Sequence, residues 1–398
     1  MNTFARRITI AVCLIMVLTA RGQQDEPLIQ FIDSALQRAT AQAYYMARNI
    51  EQQKEALPRT FEKGKLVTCR YNNWVSGFFP GLLWMLYEET GEKELLRYAQ
   101  LFTSRVEPAK HMKSTHDLGF MLYCSFGHGY RITGNTKYLE VIRQGTESLL
   151  TRWRPKLGVM RSWDFNKNWQ FPVIIDNMMN LEMLCFMTKE TGTPIYQNIA
   201  ETHANTTIQN HFRSDYSTYH VVSYDTLTCK PHAKHTAQGY AHSSAWARGQ
   251  AWGLYGYTMM YRETKNKTYL KQARRIAKYI TEHPNLPLDK VPYWDFYAPD
   301  IPNSLRDASA AAITASALLE LSQLDKSRKA KQWRKVAIQQ LRALSSDSYL
   351  AREGENGGFI LRHGVGHKPN NSEVDVPLTY ADYYYVEALL RLKKILNK

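Results

Sequence analysis

A chain of 398 residues with 44% apolar and 22% charged residues, 21 Gly and 15 Pro is built to fold, which excludes collagen-like, low-complexity and disordered classes. Lysine and arginine number 51 against 36 acids; the formal charge of +15 favours a polyanionic partner, whether nucleic acid, an acidic membrane surface or an acidic polysaccharide. At ~150 residues per domain the length suggests two or three domains, although closed toroids reach this size as one.

The chain opens with Arg6-Arg7 and an apolar run over 8–20, too short to span a bilayer but suited to a signal-peptide core. Cleavage is expected near Ala20 or Gly22, giving a leader over 1–22, a single mature domain over 23–398 and an exported, periplasmic protein without membrane insertion. Cys13 lies inside the apolar run rather than at the cleavage point, which disfavours a lipid anchor. Cys69, Cys124, Cys185 and Cys229 are widely spaced without a CxxC, so buried thiols with at most one bridge are expected.

Segment 26–53 has the apolar spacing of an amphipathic helix. Further on, four marks punctuate the chain: Glu89-Thr90-Gly91, Ile132-Thr133-Gly134, Glu190-Thr191-Gly192 and Glu263-Thr264-Lys265. Each precedes a polar turn and an amphipathic segment (GEKELLRYA, GNTKYLEVI, GTPIYQNIA, KNKTYLKQA), and Gly at three of them suits a helix C-cap. Before each mark lies a helix apolar nearly all round, over 75–90, 117–133, 176–191 and 245–264; 307–324 and 381–396 repeat that type, and 327–346 the amphipathic type. Six inner and six outer helices predict an all-α (α/α)6 toroid, closed by pairing the first outer helix with the last inner one; an open α-solenoid is the alternative. Long connections at 109–115, 155–174, 212–244, 284–306 and 348–379 all precede inner helices and so share one face.

That face collects Trp74, His116-Asp117, Asp176, Ser243, Trp246, Arg248, Asp307 and Asp382 at the helix starts. An N-cap is the ordinary role for a Ser or Asp there, and suits Ser243, Asp307 and Asp382. Asp117 and Asp176 differ in entering apolar helices beside His116, Trp163 and Trp169, and two carboxylates in an aromatic cleft make a glycoside-cleavage constellation. Trp74, Trp163, Trp169, Trp246 and Trp252 can stack on sugar rings, with core packing as the plainer role. Arg248, on an apolar helix, demands a ligand carboxylate or a protein Asp. His232-x-x-His235 is too sparse for a zinc site, and GxGxxG, P-loop and GxSxG patterns are absent, so no metal or cofactor is expected.

Segments 74–81 (WVSGFFPG), 116–120 (HDLGF) with Gly129-Tyr130-Arg131, 175–181 (IDNMMNL), 244–256 (SAWARGQAWGLYG), 306–312 (RDASAAA) and 380–389 (YADYYYVEAL) resemble the unsaturated glucuronyl hydrolases, family 88 of the glycoside hydrolases. The resemblance implies an (α/α)6 barrel that removes the 4,5-unsaturated uronic acid left by polysaccharide lyases, by hydrating the C4=C5 vinyl ether. It also implies Asp176 as general acid and water activator and Asp117 as the group that binds ring hydroxyls. His116, His220, Gln238, Trp246, Arg248 and Trp252 would line the sugar subsite, with Trp74 and Trp163 as walls. Charge adds Arg362, His363, His367 and Lys368 as candidate contacts to the next sugar, a solvated basic loop being the alternative.

The expected partner is an unsaturated glycosaminoglycan oligosaccharide, sulfated by preference, handled by a monomer or weak homo-oligomer. Nucleic acid is disfavoured by export and by the lack of a basic recognition element. A rhamnogalacturonan-directed sister hydrolase and a non-catalytic carbohydrate-binding toroid are the rival readings. A helix start should lower the pKa of Asp176, whereas an acid working near neutrality needs it raised. Burial by Met178 and Met179, together with the charge of Asp117, is expected to oppose the dipole and to leave Asp176 above Asp117.

Overall fold

The computed structural model describes residues 3–164 and 167–397, with side chains described from Glu26 onward, so the expected leader over 1–22 lies outside the described side chains. The first outer helix is the later part of α1 (Thr3–Ile50), which buries Ile32, Leu36, Ala39, Ala43, Met46 and Ile50 at three-to-four spacing. An antiparallel hairpin, β1 (Leu57–Glu62) with β2 (Lys65–Cys69), then leads into inner helix α2 (Phe78–Thr90) and outer helix α3 (Lys93–Val106).

The second inner segment departs from the expected α-helix over 117–133: Gly119–Gly127 is wound as a π-helix before α4 (His128–Thr133) completes it. Asn180 Oδ1 accepts the Phe120 N–H at 3.0 Å, and an added Cβ at Gly119 would lie 2.7 Å from Asn180 Cα, so the wide turn nests against the third inner helix. Outer helix α5 (Thr136–Leu150) follows, then the short β3 (Trp153–Arg154), β4 (Val159–Met160) and β5 (Pro172–Ile174). Inner α6 (Asn177–Thr191) and outer α7 (Ile195–His211) come next. Then β6 (Val221–Tyr224) and β7 (Pro231–His235) join β5 in an antiparallel sheet of order β5-β6-β7. Inner α8 (Ala247–Thr264), outer α9 (Lys267–Glu282), inner α10 (Ala308–Leu324) and outer α11 (Lys329–Leu344) continue the alternation. The hairpin β8 (Gly364–His367) and β9 (Ser372–Val376) precedes the last inner helix, α12 (Thr379–Leu396).

Each inner helix contacts the next in the order α2, the π-wound segment, α6, α8, α10 and α12; α12 returns to α2, and α1 packs on α12. Closure decides for the toroid over the open solenoid. Glycines permit the tight inner ring: an added Cβ at Gly77 would sit 2.2 Å from Met121 O, and one at Gly256 would sit 2.5 Å from Met178 Cβ. Gly91, Gly134 and Gly192 take the left-handed conformation expected of C-caps, and Lys265 adopts it at the fourth mark with φ 58°.

The all-α expectation gains small sheets in the connections before the inner helices. Among the described residues Cys69, Cys124, Cys185 and Cys229 are free thiols, within the expectation of at most one bridge; their expected burial is corrected, since only Cys185 is fully buried. Among the described residues no helix is long and apolar enough to cross a membrane.

Candidate active site

The β5–β6 sheet sets the start of α6, because the Ile175 N–H donates to His220 O at 3.1 Å and pins Asp176 beside His220. Asp176 occupies the N-cap position in a helical conformation (φ −55°, ψ −27°), so its carboxylate does not cap the helix. Instead its Oδ2 lies 3.7 Å from His220 Nε2 and has no hydrogen-bond partner among the described residues, with the side chain only 10% exposed. The Ala237 and Gln238 N–H groups point at His220 Nδ1 at 3.1 and 3.2 Å. Nδ1 is therefore the acceptor, and the ring proton sits on Nε2, facing Asp176. Burial and the nearby Arg248 push the His220 pKa well below its ordinary value, which keeps the imidazole neutral.

Asp117 is held differently. Thr115 Oγ1 donates to its Oδ2, and His116 Nε2 lies 3.2 Å from its Oδ1. His116 Nδ1 in turn faces Ser162 Oγ at 3.3 Å, and that oxygen accepts the Ile174 N–H at 3.0 Å. Burial alone would raise the Asp117 pKa, but His116, Thr115 and Arg152 together outweigh it and hold the carboxyl below its ordinary range. Burial dominates at Asp176 and pushes its pKa up to about 7 against the pull of His116 and Arg248, with the charge of Asp117 adding to the rise. This is the order expected of the pair.

Arg248 forms a clamp. Its Nη1 pairs with Asp307 Oδ2 at 3.0 Å and donates to Val365 O at 2.5 Å, while Nη2 donates to Gly366 O at 2.6 Å. Gln238 Nε2 reaches the same Gly366 carbonyl at 2.9 Å, so β8 is tied to the α8 mouth by two side chains. Asp307 neutralises Arg248 while its Oδ1 caps Ser309 N–H at 3.0 Å, combining two roles that the sequence analysis had kept apart. The Arg248 guanidinium also lies 4.5 Å from the Trp246 ring centroid, and the Trp246 ring packs tilted against His220 with centroids 4.5 Å apart.

Tyr380, which the sequence reading had not singled out, lies 5.3 Å below the same guanidinium and 4.8 Å from Trp74. Trp74 continues to Phe120, and Phe120 to Trp252, forming the aromatic wall. Buried polar atoms without a hydrogen-bond partner among the described residues include Asp176 Oδ2, His220 Nε2, Arg248 Nε, Trp252 Nε1 and Tyr380 Oη. Such groups suit a ligand rich in hydroxyl and carboxylate oxygens.

Trp163 pairs through its backbone with Thr115 and edges against Trp169 at 5.6 Å, which places it beside the Asp117 segment. His367, half-buried at the end of β8, acts electrostatically on His220, and Lys368 is exposed beyond it. His363 pairs with Asp375 at 2.7 Å and meets the edge of Tyr349, and Arg362 pairs with Glu355 at 2.5 Å, so both candidates have an acid partner within their own loop. Asp382 is structural: both its oxygens accept backbone N–H groups, from Ile360 and Leu361. His232 and His235 are engaged by Ser223 and Trp169, and among the described residues no group of three or more His, Cys, Asp or Glu is arranged to hold a metal. Ser162 and the Val365 and Gly366 carbonyls had no local sequence signal; a search for a buried acid to match Arg248 could have found Asp307.

The profile of glycosyl hydrolase family 88 matches residues 49–394. An unsaturated glucuronyl hydrolase of Formosa agariphila is 49% identical over 328 residues, covering 82% of this chain and 81% of that protein. One from Bacillus sp. strain GL1 is 33% identical, covering 87% and 94%. Among solved structures, an unsaturated glucuronyl hydrolase specific for heparin superposes with a TM-score of 0.90 at 48% identity, over 93% of this chain and 98% of that one.

Proposed function

Since the chain belongs to glycosyl hydrolase family 88, we propose that it removes the 4,5-unsaturated uronic acid from the non-reducing end of lyase-generated glycosaminoglycan oligosaccharides, with sulfated, heparin-type fragments preferred. The observation that carries the chemistry is the pair of unlike carboxyls: burial pushes the Asp176 pKa up to about 7, while His116, Thr115 and Arg152 hold Asp117 below its ordinary range. The preference for a heparin-type fragment is supported by the positive charge of the chain and by likeness to a heparin-specific hydrolase.

In this reading protonated Asp176 gives its proton to C4 of the vinyl ether, and the ring oxygen shares the positive charge that develops at C5. Water adds at C5 and returns a proton to the Asp176 carboxylate. The hemiketal so formed breaks its C5–O bond to give a C5 ketone and a C1 hemiacetal, which expels the next sugar. His220, neutral with its Nε2–H toward Asp176, orients the acid without competing for the proton. Asp117, anchored by Thr115 and His116, accepts hydrogen bonds from ring hydroxyls. Trp246 and the Trp74–Tyr380 wall face the ring. Arg248 acts mainly by its field and by holding β8, because its Nη atoms are already engaged.

The leader over 1–22 would export the enzyme to the periplasm. The test is loss of alkene ultraviolet absorbance on unsaturated disaccharides from heparin, chondroitin and hyaluronan, compared with Asp176→Asn. Loss with the wild type alone, greatest on the heparin product, is the expected result. Activity only on pectin-derived fragments would move the protein to the rhamnogalacturonan reading, and none on any would leave a binding toroid.

A further inference from the structure

The positive charge of this protein is not spread evenly over its outer helices. Helix α5 carries two cations and two acids, and α7 carries Glu201 as its single formally charged side chain. By contrast α9 carries five cations and one acid, and α11 five cations and no acid, well over half of the net +15. The two helices contact each other, and Arg274–Asp325 and Lys329–Glu282 ion pairs tie α9 and its end to α11 and the turn before it.

Spacing makes the charge into stripes. Lys267, Lys271, Arg274 and Lys278 recur at three-to-four spacing, opposite the face on which α9 buries Leu270, Ala273, Ile276, Ala277 and Ile280. Arg328, Lys331, Lys335 and Arg342 do the same opposite Trp333, Ala337, Gln340 and Leu344 of α11. At 1.5 Å per residue the stripes extend about 16 and about 21 Å. Lys267, Lys271, Lys331 and Lys335 are exposed and enter no ion pair among the described residues. The local acids, Glu282 and Asp325, are already paired with Lys278, Lys329 and Arg274. Helix dipoles do not explain the pattern, since Lys267 and Lys329 open their helices, where cations are unfavourable.

From this we infer that the paired outer faces of α9 and α11 form an exosite for a polyanionic sulfated polysaccharide chain, distinct from the catalytic mouth. The partner follows from chemistry. Two rows of long cations, bordered at the Lys278 end by an open pocket that Tyr216, Tyr279 and Tyr297 line, suit an extended chain carrying regularly spaced sulfates and carboxylates, bound through counterion release rather than base or headgroup recognition. Both helices run toward the mouth side, where the connections 283–306 and 345–378 begin, so a polymer lying along them is led to the rim of the site. The choice of polymer rests on the proposed substrate class; the exosite would hold the enzyme on the material whose cleavage by lyases produces its substrate.

The test uses intact heparin, which lacks the unsaturated terminus that the mouth recognises. The variant Lys267→Glu/Lys271→Glu/Lys331→Glu/Lys335→Glu is compared with wild type and with a control reversal on α5, Lys137→Glu/Arg143→Glu. The four-site variant is expected to bind heparin about ten-fold or more weakly at low salt, with a shallower salt dependence. Its turnover of unsaturated disaccharide should be unchanged, which also reports that it is folded. Equal binding by wild type and the four-site variant overturns the exosite, as does an equal loss in the α5 control. Tighter binding of wild type to duplex DNA or to anionic phospholipid vesicles than to heparin overturns the assignment of the partner. Heparin binding by a protein that hydrolyses no disaccharide would instead count against the proposed reaction while leaving the exosite standing.

Discussion

Asp176→Asn should abolish turnover and yet make the fold relatively more stable as pH rises. The folded pKa of Asp176 is about 7 against an ordinary 3.8, with burial as the main cause. A carboxyl raised in this way contributes stability that is full below the unfolded value and is lost as pH climbs through the folded one. Converting that separation gives a penalty on the native wild type of about 4 kcal/mol at pH 8, about 2 near pH 5 and under about 1 at pH 4. Asparagine carries no such pH-dependent term. It leaves an amide N–H beside an atom that already lacks a partner, at a constant loss of about 1–3 kcal/mol. The quantity to follow is therefore the change in the stability difference between the two proteins, obtained from urea unfolding at pH 4, 5, 6.5 and 8. A difference that moves toward the variant by about 3–4 kcal/mol over that span supports the assignment. Parallel curves would refute it, because they would mean that the folded Asp176 titrates like an exposed carboxyl. The same pKa predicts that wild-type kcat/KM falls with a single-proton slope above about pH 7, as the acid form is lost.

Asp307→Asn preserves the cap on Ser309 but strands the buried Arg248 guanidinium; a loss of about 3–5 kcal/mol in unfolding free energy is expected, and Arg248→Met/Asp307→Asn should recover part of it. Ser162→Ala removes the hydroxyl that faces His116 and accepts the Ile174 N–H, and should lower the disaccharide kcat/KM while costing about 1–3 kcal/mol, measured by kinetics and urea unfolding together. Gly256→Ala places a methyl group 2.5 Å from Met178 Cβ, and a loss of about 1–3 kcal/mol in urea unfolding would report how tightly α8 and α6 approach. With Cys69, Cys124, Cys185 and Cys229 all unbridged, a thiol reductant should leave the melting temperature unchanged.

The architecture was legible because its signals are local and repeated. Gly91, Gly134 and Gly192 end inner helices in the left-handed conformation that glycine adopts without strain, and Lys265 follows them because the repeat, not the residue type, sets the turn. Closure was legible for the same reason, since six inner helices exhaust the ring. The π-wound turn was not: Gly119–Gly127 has the apolar content of an α-helix, and its extra width answers to Asn180 on another helix. The Arg248 clamp shows the same limit. Sequence could say that a buried guanidinium needs an acid, but the carbonyls of Val365 and Gly366 lie 117 and 118 residues away, and no periodicity links them. Charge in a loop says nothing of direction: His363 takes a positive φ and pairs with Asp375, which its sequence neighbours do not reveal.

Four aspartates stand at starts of inner helices, and the site depends on how they differ. Asp382 spends both oxygens on the Ile360 and Leu361 N–H groups, and although burial lifts its pKa to about 8 it has no free lone pair aimed at a ligand. Asp307 is divided between a helix cap and Arg248. Asp117 is fixed by Thr115 and His116 and kept ionised by its neighbours. Asp176, at an N-cap position, makes no side-chain cap bond, and among the four it alone has a carboxyl oxygen, Oδ2, that is buried without a hydrogen-bond partner among the described residues. A raised pKa therefore does not by itself distinguish the acid, since Asp382 has one too. What distinguishes Asp176 is a carboxyl lifted to about 7 that spends neither oxygen on a backbone cap or an ion pair with Lys or Arg and faces only the neutral His220 ring, so it is the carboxyl able to give its proton to a bound ring.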